Sequence, residues 1–117
     1  MLTKRRVSVA HLFLTTTFVV AMVPSLASAG MEEAKAFYAQ KCGVCHSLAG
    51  KAGKLAQLGG PLDGVATKHN EEWFRAYLKD PKSESPNSKM PKVAMTEQQF
   101  DDIVAYLLTL TKPAPQE

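Results

Sequence analysis

The chain has 117 residues, with 14 Lys+Arg against 11 Asp+Glu and a formal charge of +3, a length that suits one small domain. The excess is local: Lys4, Arg5 and Arg6 precede every acidic residue, so residues 30–117 set 11 basic against 11 acidic side chains. A neutral domain of this kind lacks the electrostatic motive for binding nucleic acid, and no internal repeat or interdomain linker divides it.

Residues 1–29 read as a secretory signal. Lys4, Arg5 and Arg6 form a positive start, residues 7–23 are mostly apolar, Pro24 interrupts, and Ala27-Ser28-Ala29 is a small-residue cleavage site. The expectation is cleavage after Ala29, export to the periplasm and no membrane insertion afterwards. The alternative is an uncut anchor, although the apolar run is at the short limit for a span.

A first helix is expected from about Met31 to Lys41, with Ala34, Phe37 and Tyr38 on its apolar face. It runs into Cys42-Gly43-Val44-Cys45-His46, which holds both cysteines of the chain. Cys-x-x-Cys followed at once by His is the attachment sequence for c-type haem. Two thiols at this spacing add across the two vinyl groups of one porphyrin, and on a helical turn the histidine falls on the same face. A dithiol of thioredoxin type would need a βαβ setting, which is not visible. A closed zinc site would need four ligands, and no second Cys/His cluster is present.

Residues 49–64 are glycine-rich and read as a loop with one helical turn near Lys54–Leu58. Gly60-Pro61-Leu62 is expected to pass close to the haem, where a rigid loop carbonyl can accept from His46 Nδ1–H and orient the ring. Asn70 caps a helix carrying Trp73, Phe74, Tyr77 and Leu78 on one face, ended by Asp80-Pro81. Residues 81–92 are polar, punctuated by three prolines, and fit neither helix nor strand. The last helix opens on a Thr96/Gln99 capping box with Met95 and Phe100 as a hydrophobic staple, and buries Phe100, Ile103, Val104, Leu107 and Leu108. Residues 113–117 read as a frayed tail.

The iron needs a second axial ligand or an open site. Met31, Met90, Met95 and His69 are the candidates, and Met90, in the proline-pinned loop, is favoured because His/Met is a standard axial pair.

At this point the chain resembles the class I (monohaem, bacterial) cytochromes c over nearly all of residues 31–111. The resemblance rests on Cys42-Gly43-Val44-Cys45-His46, Gly60-Pro61-Leu62, the Trp73 helix, Lys89-Met90-Pro91 and Asp102-Ile103-Val104-Ala105-Tyr106-Leu107. It implies an all-α cytochrome c fold over 30–112, of about four helices around one covalently attached haem c and its iron. It also implies Cys42 and Cys45 as thioether anchors, His46 as proximal ligand, Pro61 as the carbonyl partner of His46 and Met90 as distal ligand. Its first and last helices should cross closely, with Ala34 where relatives often have glycine.

The expected function is single-electron transport between redox proteins by a monomer, without enzymatic activity. Lys41, Lys89 and Lys92 are expected to face acidic partners. Two alternatives stand beside it: a haem-bearing subunit of a respiratory complex, and a haem enzyme or sensor with an open distal site.

Overall fold

The computed structural model describes residues 26–116, with side chains from Ala29 onward. The basic and apolar parts of the expected signal lie outside these residues, whereas Leu26–Ala29 form the first turn of helix α1 (Leu26–Phe37). Among the described residues no helix is long and apolar enough to cross a membrane.

α1 does not end where the chain leaves it but widens into a π-helical turn, Tyr38–Cys42, closed by a 2.7 Å bond from Gly43 N–H to the Tyr38 carbonyl. Two short strands follow, β1 (Ser47–Leu48) and β2 (Lys51–Ala52), paired antiparallel. Their two-residue connection, Ala49-Gly50, has positive φ at both residues, the geometry of a tight hairpin turn that matches strand twist. The Ala49 amide is held by the Asp63 carboxylate at 2.9 Å. α2 (Ala56–Gly59) is the helical turn expected in the glycine-rich stretch, and a 3₁₀ turn spans Val65–Thr67.

α3 (Glu71–Lys79) starts at the expected cap, with Asn70 Oδ1 accepting from Trp73 N–H at 2.9 Å. The loop expected over 81–92 begins instead with a fourth helix, α4 (Pro81–Glu84). Asp80-Pro81 both stops α3 and starts α4: proline suits the first helical position, and the Asp80 side chain caps it by accepting from Lys82 N–H at 3.1 Å. Residues 86–95 have no regular structure. α5 (Glu97–Leu108) opens on the full capping box, with Gln99 N–H to Thr96 Oγ1 at 3.2 Å and Thr96 N–H to Gln99 Oε1 at 3.0 Å. Among the described residues the α-helices are five, beside the about four expected, and two of them are single turns.

α1 packs across α5 and α3 packs beside it. Ala34 is 2% exposed at the α1–α5 crossing, and Ile103 and Val104 are each 1% exposed; full burial of such side chains stabilises by about 1.5–3 kcal/mol apiece. A Cβ at Gly30 would stand 2.8 Å from Asp102 Oδ1, so the helices are near contact one turn before Ala34. Tyr38 meets Tyr106 edge-on, with ring centroids 5.8 Å apart, and joins Phe74, Leu78, Phe100 and Leu107 in the core.

The Tyr38 hydroxyl is buried and has no hydrogen-bond partner among the described residues. Burial, with smaller contributions from Cys42, Tyr106 and Asp63, pushes this phenol up to about 12. The folded state therefore holds the phenolic proton more tightly than the unfolded chain, whose tyrosines titrate near 10. The contribution of this group to stability is complete below pH 10 and is lost as pH rises toward 12. Tyr38→Phe should raise stability by about 1 kcal/mol, by removing an unsatisfied buried hydroxyl, and should flatten that alkaline loss. Denaturant melts of wild type and variant at pH 7 and pH 11 measure both effects.

Candidate haem site

The attachment turn is built by backbone bonds. The Cys42 carbonyl accepts from Cys45 N–H at 3.1 Å and His46 N–H at 3.0 Å, so the motif completes one turn at the end of the π-helical segment. Both cysteines are free thiols. Burial pushes the Cys42 thiol up to about 11, so at neutral pH it is protonated.

The glycine-rich segment wraps this turn. Leu55 N–H donates to the Val44 carbonyl at 2.9 Å, and Gly59 N–H to the Cys45 carbonyl at 2.9 Å. Two glycines make the approach possible. A Cβ on Gly53 would collide with the Gly43 and Val44 carbonyls. A Cβ on Gly59 would collide with the Cys45 carbonyl and stand 2.7 Å from His46 Nδ1. Glycine richness alone marks a loop here; the need for these two glycines comes from the carbonyls they pack against.

The His46 ring is oriented from this segment. Its Nδ1 lies 3.2 Å from the Gly60 carbonyl. A carbonyl only accepts, so Nδ1 carries the proton and Nε2 is left as the metal-binding nitrogen. This corrects the expected partner: the acceptor is Gly60, whereas Pro61 is exposed and outside the cavity lining. The reason is local. Gly60 has φ of 71°, which a side chain disfavours, and its carbonyl also accepts from Ser47 N–H at 3.2 Å. Leu62 N–H returns to the Ser47 carbonyl at 2.9 Å, so Pro61 bridges past β1 while the preceding carbonyl meets the ring.

Cys42, His46 and Met90 line one cavity, walled further by α3 and α5 through Trp73, Tyr77 and Ile103. Among the described residues no Asp, Glu, Lys or Arg lines it. Cys45 is half-buried but is not part of the lining. Met95 and His69 do line it, while Met31 does not. The donors brought together are imidazole nitrogen and thioether sulfur in apolar surroundings. That set fits the axial positions of a haem iron better than any hard cation. Among the described residues no three His, Cys, Asp or Glu side chains cluster as a metal site.

Gly59→Ala should displace His46 or open the wrapped segment, at a cost of roughly 1–3 kcal/mol or more, with a severe fall in haem-loaded yield. Gly50→Ala is the control. It also has positive φ, but nothing stands within 4 Å of the added methyl, so it should cost about 1–2 kcal/mol and leave the haem spectrum unchanged. Thermal melts and absorbance spectra of the purified proteins distinguish the two.

The site's make-up agrees with the sequence comparisons. The family model for cytochrome c matches residues 31–111. Comparisons with curated proteins and with solved structures each return no match. Cytochrome c domains work in electron transfer through a covalently bound haem c and its iron. An attachment turn, an oriented histidine and an uncharged cavity thus lie within one matched span, and the chain belongs to the cytochrome c family.

Proposed function

We propose that this is a small monohaem cytochrome c of the class I bacterial kind, a periplasmic carrier of single electrons with His46 and Met90 as axial ligands. The observation that carries this reading is that Cys42, His46 and Met90 line a single cavity free of charged side chains. One Cys-x-x-Cys-His occurs in the chain, which supports one haem. When bound, that group supplies a one-electron iron couple, and a methionine ligand raises its potential.

The chain's own residues hold and insulate it. Cys42 and Cys45 are the thioether anchors. The Gly60 carbonyl orients His46, and α3 and α5 exclude water. No general acid, base or nucleophile is needed, so the reading is of a carrier rather than an enzyme. Export rests on Lys4–Arg6, the apolar run and Ala27-Ser28-Ala29, with cleavage after Ala29; cytochrome c domains are typically exported.

Partners are proposed to be redox proteins with acidic docking faces, met by a monomer. Lys41, Lys89 and Lys92 are exposed and unpaired among the described ion pairs. Val44, Leu55 and Leu58 are exposed apolar side chains, and the Leu55–Val44 backbone bond places two of them beside the attachment turn. Exposed apolar side chains and exposed lysines suit a partner that offers apolar surface among carboxylates.

Mature protein made with haem-attachment machinery should weigh the chain plus one haem, and acid–acetone should leave the colour on the protein. Colour in the organic layer refutes covalent attachment. Met90→Ala should abolish the thioether-to-iron charge-transfer band and lower the potential. Met95→Ala should keep the band and cost about 2–3 kcal/mol of stability. The opposite pattern would make Met95 the ligand, and loss of the band in neither would turn attention to His69.

For the docking face, Lys41→Glu, Lys89→Glu and Lys92→Glu should each slow electron transfer with the native partner several-fold at low salt. The differences should shrink as the screening length falls toward about 8 Å at physiological ionic strength. Lys112→Glu should have little effect. Stopped-flow rates across ionic strength decide it, and equal slowing in all four variants rejects the face.

A further inference from the structure

We propose that removal of the signal completes the α1–α5 crossing: the α-ammonium created at Gly30 pairs with the Asp102 carboxylate, an ion pair that the uncut chain cannot make. The proposal rests on the reading of cleavage after Ala29 above. Gly30 lies half-buried in α1, and Asp102 lies half-buried on α5. A Cβ placed on Gly30 would stand 2.8 Å from Asp102 Oδ1, 3.3 Å from its Cγ and 3.6 Å from Oδ2. The carboxylate thus occupies the space where any other residue would carry a side chain. The Gly30 nitrogen is bonded to the same Cα, so it comes within reach of those oxygens once it is free to turn.

The recess around Gly30 is unbalanced in charge. It is lined by Ala29, Met31 and Glu33 from α1 and by Gln98, Asp102 and Ala105 from α5. Two carboxylates are present, and among the described residues no Lys or Arg lines it. Lys35 is engaged with Glu32 at 2.7 Å. Asp102 Oδ1 accepts from Gln98 Nε2 at 2.9 Å, which holds the carboxylate and leaves acceptor sites on both oxygens. In the uncut chain the Gly30 nitrogen is a neutral amide inside α1, directed along the helix at the carbonyl four residues back. Cleavage removes residues 26–29 and with them the carbonyls that the first amides of the shortened helix used. The new terminus is then a cation, released from the helical bond, beside a carboxylate held by the partner helix. Because α1 leads directly into the turn that carries Cys42, this pair braces the element on which the attachment motif stands.

The test uses the mature haem-loaded protein, its first residue fixed by intact mass, as wild type, Asp102→Asn, Glu33→Gln and Glu97→Gln. Asparagine keeps the shape and the acceptor for Gln98 but not the charge. Glu97 opens α5 outside the recess. The Gly30 α-amine is titrated by NMR through its Cα resonance. The positive end of α1 would by itself lower the midpoint, so a raised midpoint marks a carboxylate. In wild type it should stand about 0.3–0.7 unit above the ordinary 7.7–8.0. Asp102→Asn should lower it by that amount, Glu33→Gln by less, and Glu97→Gln scarcely at all. A raised midpoint stabilises the fold fully below about pH 7.7, and the contribution is lost as pH rises through the folded midpoint. Denaturant melts should therefore give Asp102→Asn an unfolding constant about two- to fivefold above wild type at pH 6, and no such excess at pH 10. A wild-type midpoint within the ordinary range overturns the pair. So does an equal fall in Glu97→Gln, which would mark the general field of the acidic side chains. A mature chain that begins elsewhere overturns the cleavage reading and the pair with it, so mass and titration tell the two failures apart.

Discussion

The arrangement of the site depends on backbone meeting backbone where the glycine-rich segment closes around the attachment turn. The Gly59 amide bonds the Cys45 carbonyl and the Leu55 amide bonds the Val44 carbonyl. At Gly53 and Gly59 there is no room for a β-carbon. Carbonyls that would otherwise face the end of a helical turn without partners are satisfied there. The same closure brings the Gly60 carbonyl to His46 Nδ1. One packing event therefore shapes the turn, selects the imidazole tautomer and leaves the other nitrogen for the metal.

The rest of the molecule forms the opposite wall. α1 and α5 cross at Ala34 and bury Ile103 and Val104, a compact core that a small domain has difficulty extending by itself. α3 divides its residues between two tasks. Phe74 and Leu78 are buried in that core and reach the cavity from it, whereas Trp73 and Tyr77 line the cavity half-buried. Arg75 ties α3 to α5 through Asp101 at 2.8 Å; exposed ion pairs of this kind contribute at most about 1 kcal/mol, so the packing of Phe74 and Leu78 holds α3 in place.

Charge is distributed differently from apolar surface. Among the described residues the cavity lining has no charged side chain, which leaves ligand identity and hydrogen bonding to tune a bound metal centre. Lys41, Lys89 and Lys92 stand on the exterior, as do Val44, Leu55 and Leu58. The interior thus suits a hydrophobic cofactor.

Local chemistry made much of this legible in the sequence. Cys42-Gly43-Val44-Cys45-His46 states its own spacing, Asn70 and the Thr96/Gln99 box act on amides three residues away, and the stripe Phe100–Leu107 follows helical period. Each depends on neighbours within about one helical turn. Asp80-Pro81 was legible only in part, because the same pair ends one helix and caps the next. Tertiary structure decided the rest. It chose Gly60 over Pro61 as the carbonyl for His46, through a positive φ and a bridge to β1. It widened the first helix into a π-turn at Tyr38–Cys42. It brought Met95 and His69 to the same cavity as Met90, and joined Tyr77 to Ser88 across 11 positions. These outcomes depend on segments far apart in the chain packing together, and no sequence period records which carbonyl or hydroxyl will then face which ring.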